Sequence, residues 1–176
     1  YTYMKNIIAI VGSAAAASSS HKIVGFLKTL LDDEIRLLVF DRLKELPHFD
    51  PTESTERPPI EIIALRQIIQ DADAVLICSP EYIFSIPSGL KNLLEWTVAT
   101  TIWMDKPVAI ITASTDGEHT HKQLQLLLRT LGASVEANTC LHIPAVKSKI
   151  NQEGQITDPD TQAALTCLAT ALQEML

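Results

Sequence analysis

The sequence predicts an α/β fold built on a doubly wound, five-stranded parallel sheet, and three observations carry that prediction. Short apolar runs of strand length, rich in β-branched residues, recur along the 176 residues. Between them, apolar residues recur at helical spacing. Each strand-like run ends in a loop of small, polar or proline residues. Strands alternating with helices at this rhythm give a parallel sheet covered on both faces. Right-handed crossovers then favour the strand order 2-1-3-4-5.

The elements follow in order. Residues 6–11, NIIAIV, form an apolar run without alternation, as a strand buried on both faces requires. Residues 12–20, GSAAAASSS, make a small-residue loop, and Ser18, Ser19 and Ser20 are candidate N-caps for a helix striped by Ile23, Val24, Phe26, Leu27, Leu30 and Leu31. Residues 34–40 read as the second strand and residues 41–59, with four prolines, as a long polar surface connection. A helix over 60–70, with Ile60, Ile63, Ala64 and Ile68 on its apolar stripe, leads into the third strand, 74–78. Ser79 and Pro80 stop that strand, because proline cannot donate to a ladder. Pro87, Ser88 and Gly89 open the next helix, striped by Leu90, Leu93, Leu94 and Val98. A fourth strand, VAIIT, follows Pro107; the helix carrying Leu124, Leu127, Leu128 and Leu131 closes at Gly132. Residues 133–140 are expected to form a fifth, edge strand, 151–160 a polar loop, and 163–176 a terminal helix.

Composition bounds the function classes. The length suits one domain, 1–176, and 47% hydrophobic with 20% charged residues is ordinary globular usage. A net charge of −7, with no Lys/Arg cluster, argues against nucleic acid or an anionic membrane as partner. Cys78, Cys140 and Cys167 are far apart and form no CxxC pair, so neither a disulfide framework nor a metal site is expected, and reduced thiols point to a cytoplasmic location. The segment after Lys5 imitates a secretory signal, but Gly12 and Ser13 interrupt it and its removal would delete the first strand. Met4 reads as a start, and the first three residues as an appended remnant.

In the expected topology the loops after strands one, three and four meet at the switch point, where open α/β sheets bind ligands. The first loop offers a helix N-terminus, serine hydroxyls and small residues, the means to hold a phosphate. It lacks the GK[ST] of a Walker loop and the second glycine of a dinucleotide fingerprint, and no GxSxG nucleophile elbow occurs. A small-residue turn that only packs helix on sheet is the alternative. The second loop exposes Tyr82, Ile83 and Phe84 where a polar loop would be usual, a surface for something flat and apolar.

GSAAAASSS before a helix, PEYIFSIPSGLKNLLEW and ITASTDGEH together resemble the NADPH-dependent FMN reductase family of flavodoxin-like proteins. Gly12, Ser13 and Ser18 match the family's first motif, while Ala15 stands where arginine is common and Ser20 where asparagine is common. Ile83 replaces the asparagine of PEYN, and Gly117 is followed by Glu118 rather than a second glycine. The resemblance implies FMN as cofactor and NADPH or NADH as co-substrate. It puts Gly12, Ser13, Ser18 and Ser20 at the phosphate, Pro80, Glu81, Tyr82, Ile83 and Phe84 along the isoalloxazine, and Ser114 to Gly117 on its other side. Hydride would pass from the nicotinamide through the flavin to a quinone, an azo or nitro compound, free flavin or a metal ion. No side-chain nucleophile or base is then required, and the protein supplies position and electrostatics. The alternative is a flavodoxin-like electron carrier, or an interaction module that binds FMN weakly.

Other residues have plainer readings. His119 and His121 read as surface histidines, His21 as an exposed imidazole at a helix start, and Cys78 as a small core residue. Glu81 reads equally as a loop hydrogen-bond partner or a solvated carboxylate. Trp96 and Trp103 read as core or subunit contacts. Leu90, Leu93, Leu94 and the 96–103 segment look too apolar for one helix on its own sheet, so a homodimer or homotetramer is expected to form through that helix.

Overall fold

The computed structural model describes residues 4–176, so the reading of the first three residues lies outside it. Among these residues five parallel strands pair in the order β2-β1-β3-β4-β5, as expected. They are β1 (Lys5–Val11), β2 (Ile35–Phe40), β3 (Ala74–Ser79), β4 (Val108–Ala113) and β5 (Cys140–Ile143). The central register aligns Ala9 with Leu76, and Ile77 with Ile110. β3 and β4 are buried along their whole length, as unalternating apolar runs require, whereas edge strand β2 leaves Leu38 and Val39 exposed.

The helices are α1 (Ser19–Lys28), α2 (Pro51–Glu56), α3 (Ile60–Asp71), α4 (Ser88–Thr97), α5 (Glu118–Thr130) and α6 (Pro159–Glu174). Side chains alternate along β1, so Ile7, Ala9 and Val11 pack with Ile23, Leu27, Leu165 and Leu172 of α1 and α6. Ile8 and Ile10 face the opposite core, built from α3, α4 and α5. Ser18 caps α1, and Gly132 at φ +93 ends α5, with Ala133 N–H donating to Leu128 O and Gly132 N–H to Arg129 O, a Schellman closure.

Four expectations are corrected. The 41–59 connection is not a bare loop. Leu43 starts a short 3-10 turn and is buried, and Asp50 caps α2, its carboxylate accepting the Thr52 and Glu53 N–H groups. The stripe on α3 is the wrong one: Ile62, Leu65 and Ile69 are buried, while Ile60 and Ile63 are 71% and 48% exposed. So many apolar residues share this helix that spacing alone could not choose the face. β5 begins at Cys140, because Ser134 makes only an isolated bridge to Pro107 and residues 137–139 form a 3-10 turn before the ladder resumes. The last helix starts at Pro159, since the Asp158 carboxylate accepts the Thr161 N–H and holds the first turn.

The apolar excess on α4 is also accounted for within the chain. Leu90, Leu93, Leu94, Trp96 and Trp103 are all buried in the chain's own core. The polar residues of the same helix tie down the connection after β2. Asn92 accepts the Phe49 N–H and donates to Pro47 O, which also receives the Trp96 indole N–H at 2.8 Å. Arg66 of α3 then donates to Trp96 O and to Ser54 of α2. Burial in this polar knot pushes the Arg66 guanidinium down from its usual range.

Candidate functional site

Three loops meet at the carboxyl edge of the sheet. The first leaves β1 at Gly12, whose N–H donates to Cys78 O at 2.8 Å. A Cβ here would lie 2.6 Å from Ser79 Oγ, so only glycine lets the ends of β1 and β3 close on each other. Ser13 Oγ accepts the Ala15 N–H and lies 3.2 Å from the Tyr82 hydroxyl, joining loops one and two across 69 residues. Ala17 is left-handed, at φ +54, and turns the chain into the Ser18 cap.

That cap is a capping box with histidine in the place usually taken by Glu or Gln. The His21 N–H donates to Ser18 Oγ, and His21 Nδ1 accepts the Ser18 N–H at 3.2 Å. An accepting Nδ1 leaves the proton on Nε2, which faces the Asp41 carboxylate at 3.4 Å. His21 is therefore engaged at both nitrogens rather than simply exposed. The N–H groups of Ala14, Ala16, Ala17 and Ser19 take no partner among the described residues. Orphan donors at a helix start, with small side chains in front of them, suit a phosphate. The residues present thus fit the phosphate of FMN with neutral donors and a helix dipole, and Ala15 brings no cation.

Ser20 stands apart from these donors. It is buried, and its hydroxyl lies against the Cys78 thiol, a buried group pushed up to about 12 by desolvation and drawn back only partly by that hydroxyl. Cys78 is a core thiol, as expected.

The second loop is a two-residue hairpin. The Tyr82 N–H donates to Ser85 O, and the Ser85 N–H to Tyr82 O. Ile83 and Phe84 at its tip have φ of +50° and +54°, a conformation that Gly, Asn and Asp usually supply. The tip stands in solvent: Ile83 is 96% exposed, Phe84 71% and Tyr82 41%. Tyr82 is also the wall between two clefts. One, of about 290 Å³, is bounded by Gly12, Ala14, Lys44, His48 and Asn92. The other, of about 460 Å³, is bounded by Ile83, Ile86, Lys91 and Gln123.

The third loop follows β4. Ser114 N–H donates to Ile143 O, and the Val146 N–H to Ser114 O, so the chain after β5 braces it from behind. Gly117, at φ +95, turns into α5; a Cβ there would meet Thr112 at 3.0 Å and the His142 ring at 3.2 Å. His142 Nε2 lies 2.6 Å from Asp116 O. The Asp116 and Gly117 N–H groups take no partner among the described residues, which leaves donors available for a developing negative charge.

One surface reading changes here, that of His121, and the open alternative for Glu81 is decided in favour of a hydrogen-bond partner. His121 is half-buried, stacks on His142 with centroids 5.5 Å apart, and pairs through Nδ1 with Thr112 Oγ1 at 3.0 Å. Burial, and secondarily His142, lowers its pKa. Glu81 is a helix cap: its carboxylate accepts the Thr120 N–H at 2.7 Å. Gln123, which no motif marked, accepts from Ser85 Oγ and the Ile86 N–H. Nothing in the sequence sets it apart from the other polar residues of α5, and its partners lie 37 and 38 residues away.

The loops thus bring Gly12, Ser13, Ser18, Pro80, Tyr82, Ile83, Phe84, Ser114 and Gly117 to one edge of the sheet, with Glu81 turned toward α5 and Ser20 toward the core. Among the described residues no group of three or more His, Cys, Asp or Glu side chains could hold a metal, and no helix is long and apolar enough to cross a membrane.

Residues 5–148 match the model of the NADPH-dependent FMN reductase family. A quinone reductase of Escherichia coli is 27% identical over 177 residues, covering 97% of this chain and 94% of its own. The NADH:(hydroxy)cinnamate reductase subunit CrdA of Vibrio ruber is 29% identical over 167 residues, covering 91% and 81%. FerB, a flavoenzyme NAD(P)H:(acceptor) oxidoreductase from Paracoccus denitrificans, has the same fold, with a TM-score of 0.80 at 24% identity over 97% of this chain and 96% of its own. These likenesses favour an enzyme over an electron carrier or interaction module. The chain belongs to the NADPH-dependent FMN reductase family, as a flavodoxin-like enzyme that uses FMN and NAD(P)H.

Proposed function

We propose that this enzyme reduces a quinone, and that it holds one FMN across the three loops. The single observation that carries the reading is the 3.2 Å approach of Ser13 Oγ to the Tyr82 hydroxyl. It sets a helix start with orphan N–H groups directly beside an exposed aromatic hairpin, a polar end and a flat apolar end within one ligand's reach. Gly12, Ser13, Ser18 and the free N–H groups before α1 take the phosphate. Pro80, Tyr82, Ile83 and Phe84 flank the ring on one side, Ser114 and Gly117 on the other. Ser20 and Glu81 serve from behind, against the core and against α5.

Bound FMN supplies the two-electron chemistry between nicotinamide and acceptor. The chain's part is to orient the ring, leave one face open and direct the Asp116 and Gly117 N–H donors at developing charge. Overall, the nicotinamide gives up a hydride, which is two electrons and one proton, and a second proton from solvent completes the reduction of the quinone to the hydroquinone. The names of the relatives support a quinone as acceptor. Cytoplasmic location fits the unpaired thiols. A homodimer or homotetramer remains the proposed assembly, now through the exposed Ile60 and Ile63 of α3 rather than the buried leucines of α4. A monomeric mass by light scattering would remove that part.

The test is an absorbance spectrum of the purified protein before and after FMN, followed by NADPH oxidation with a soluble benzoquinone. A flavin spectrum at one equivalent per chain, with quinone-dependent turnover, is expected. No binding at excess FMN would overturn the reading.

A further inference from the structure

We infer that Glu81 and Gln123 are positioning residues that fasten the hairpin after β3 to the start of α5, so that the two walls flanking the ring form one unit before any flavin arrives. The inference rests on the ring site proposed above.

The hairpin needs an outside support. Its tip residues, a β-branched and an aromatic side chain, sit in left-handed backbone and make little contact with the core, since Ile83 and Phe84 are exposed. Such a conformation persists when surrounding bonds over-determine it. Those bonds stand at the two roots of the turn. At one root the Glu81 carboxylate accepts the Thr120 N–H at 2.7 Å. At the other, Ser85 Oγ and the Ile86 N–H both donate to Gln123 Oε1 at 2.9 Å. A backbone N–H can only donate, so the Gln123 oxygen must face the hairpin. Between the roots, the Phe84 ring meets His119 edge-on at 5.1 Å.

The need is mutual. α5 begins after Gly117, which has no side chain to cap the orphan N–H groups of the first turn. Glu81, 39 residues earlier in the chain, supplies that cap, and its negative charge is favourably placed at the positive end of the helix. Removing either side chain frees one root of the turn and loosens both walls of the ring slot, with no contact to the phosphate loop.

The test begins on the protein without flavin. Hydrogen exchange in Glu81→Ala and Gln123→Ala is expected to accelerate about tenfold over residues 80–86 and 118–121, with residues 22–28 of α1, which do not touch the hairpin, unchanged. Dissociation constants for FMN and riboflavin, from quenching of flavin fluorescence, should then rise together by roughly fivefold to twentyfold, because the loss is at the ring and not at the phosphate. Gln123→Glu keeps an oxygen acceptor and should restore both readouts, whereas Gln123→Leu should not. Wild-type exchange and binding in the alanine variants would overturn the inference. So would faster exchange spread over the whole chain, or weaker binding of FMN alone. If the wild type bound no flavin, the ring-site proposal would fail, and the exchange data would still decide whether the two residues fasten the hairpin.

Discussion

The two ends of the candidate site are held by opposite kinds of bond. At the phosphate end the bonds that shape the loop are local, Ser13 with Ala15 and Ser18 with His21, two and three residues apart, while Ser13 to Tyr82 and His21 to Asp41 tie the formed loop to its surroundings. At the ring end the side-chain ties run from Glu81 to Thr120 and from Gln123 to Ser85 and Ile86, 37 to 39 residues apart. A phosphate cradle of this kind is the ordinary chemistry of a helix start and needs only β1 and α1. The ring slot exists only when β3, β4 and α5 have packed. Local bonds make a binding element; distant ones make a binding geometry.

The heaviest blow falls where the two ends join. Gly12→Ala puts a methyl group 2.6 Å from Ser79 Oγ and 2.8 Å from its Cβ, at a side chain with no room to withdraw. Overpacking of this kind costs about 2 to 3 kcal/mol. The urea midpoint should fall accordingly, and both FMN and riboflavin should bind less well. An unchanged midpoint would mean that the strand ends yield, and that the junction does not set the spacing of the loops.

Ala15→Arg sharpens the comparison by acting on the phosphate end alone. The position is exposed, so a charge-assisted contact there is discounted for solvent to about 1 kcal/mol, roughly fivefold in affinity. The gain should appear for FMN and be absent for riboflavin, which has no phosphate. Equal changes for both ligands would place the phosphate elsewhere.

Ile83→Asn acts on the ring end. Asparagine tolerates φ of +50° far better than a β-branched residue, and Ile83 has almost no packing to lose. A gain of about 0.5 to 1 kcal/mol in thermal or urea stability is expected. A loss would show that the isoleucine is held by contacts outside its own turn.

The smallest effect is a pH dependence on the ring side. The folded pKa of His121 is depressed, by burial first and by His142 second. The unfolded chain takes up this proton near pH 6.5, the folded one only at lower pH. The unfolded state therefore binds more protons below about pH 6.5, and stability falls as the pH drops through that window. It is fully present above it. His121→Gln, which cannot take the proton, should flatten this part of the curve of unfolding free energy against pH. An unaltered slope would assign the acid sensitivity to other groups.

The sheet order and the identity of the three loops were legible in the residues, because buried parallel strands announce themselves as unbroken apolar runs. The Ser18 cap, the Gly132 closure and the exposed 82–84 tip were legible too, since each depends on neighbours within a few positions. Where many apolar residues share a helix, a polar stretch hides a cap, or a 3-10 turn interrupts a strand-like run, the sequence misleads: the α3 stripe, the Asp50 and Asp158 caps of α2 and α6, and the late start of β5 are the cases. Only the packed molecule decided that Ser20 serves Cys78, that Asn92 and Trp96 hold Pro47, and that Glu81 and Gln123 grip the hairpin. The reason is physical: a capping hydroxyl meets its partner wherever the helix forms, whereas a carboxylate meets an amide 39 residues away only if the sheet between them has its register.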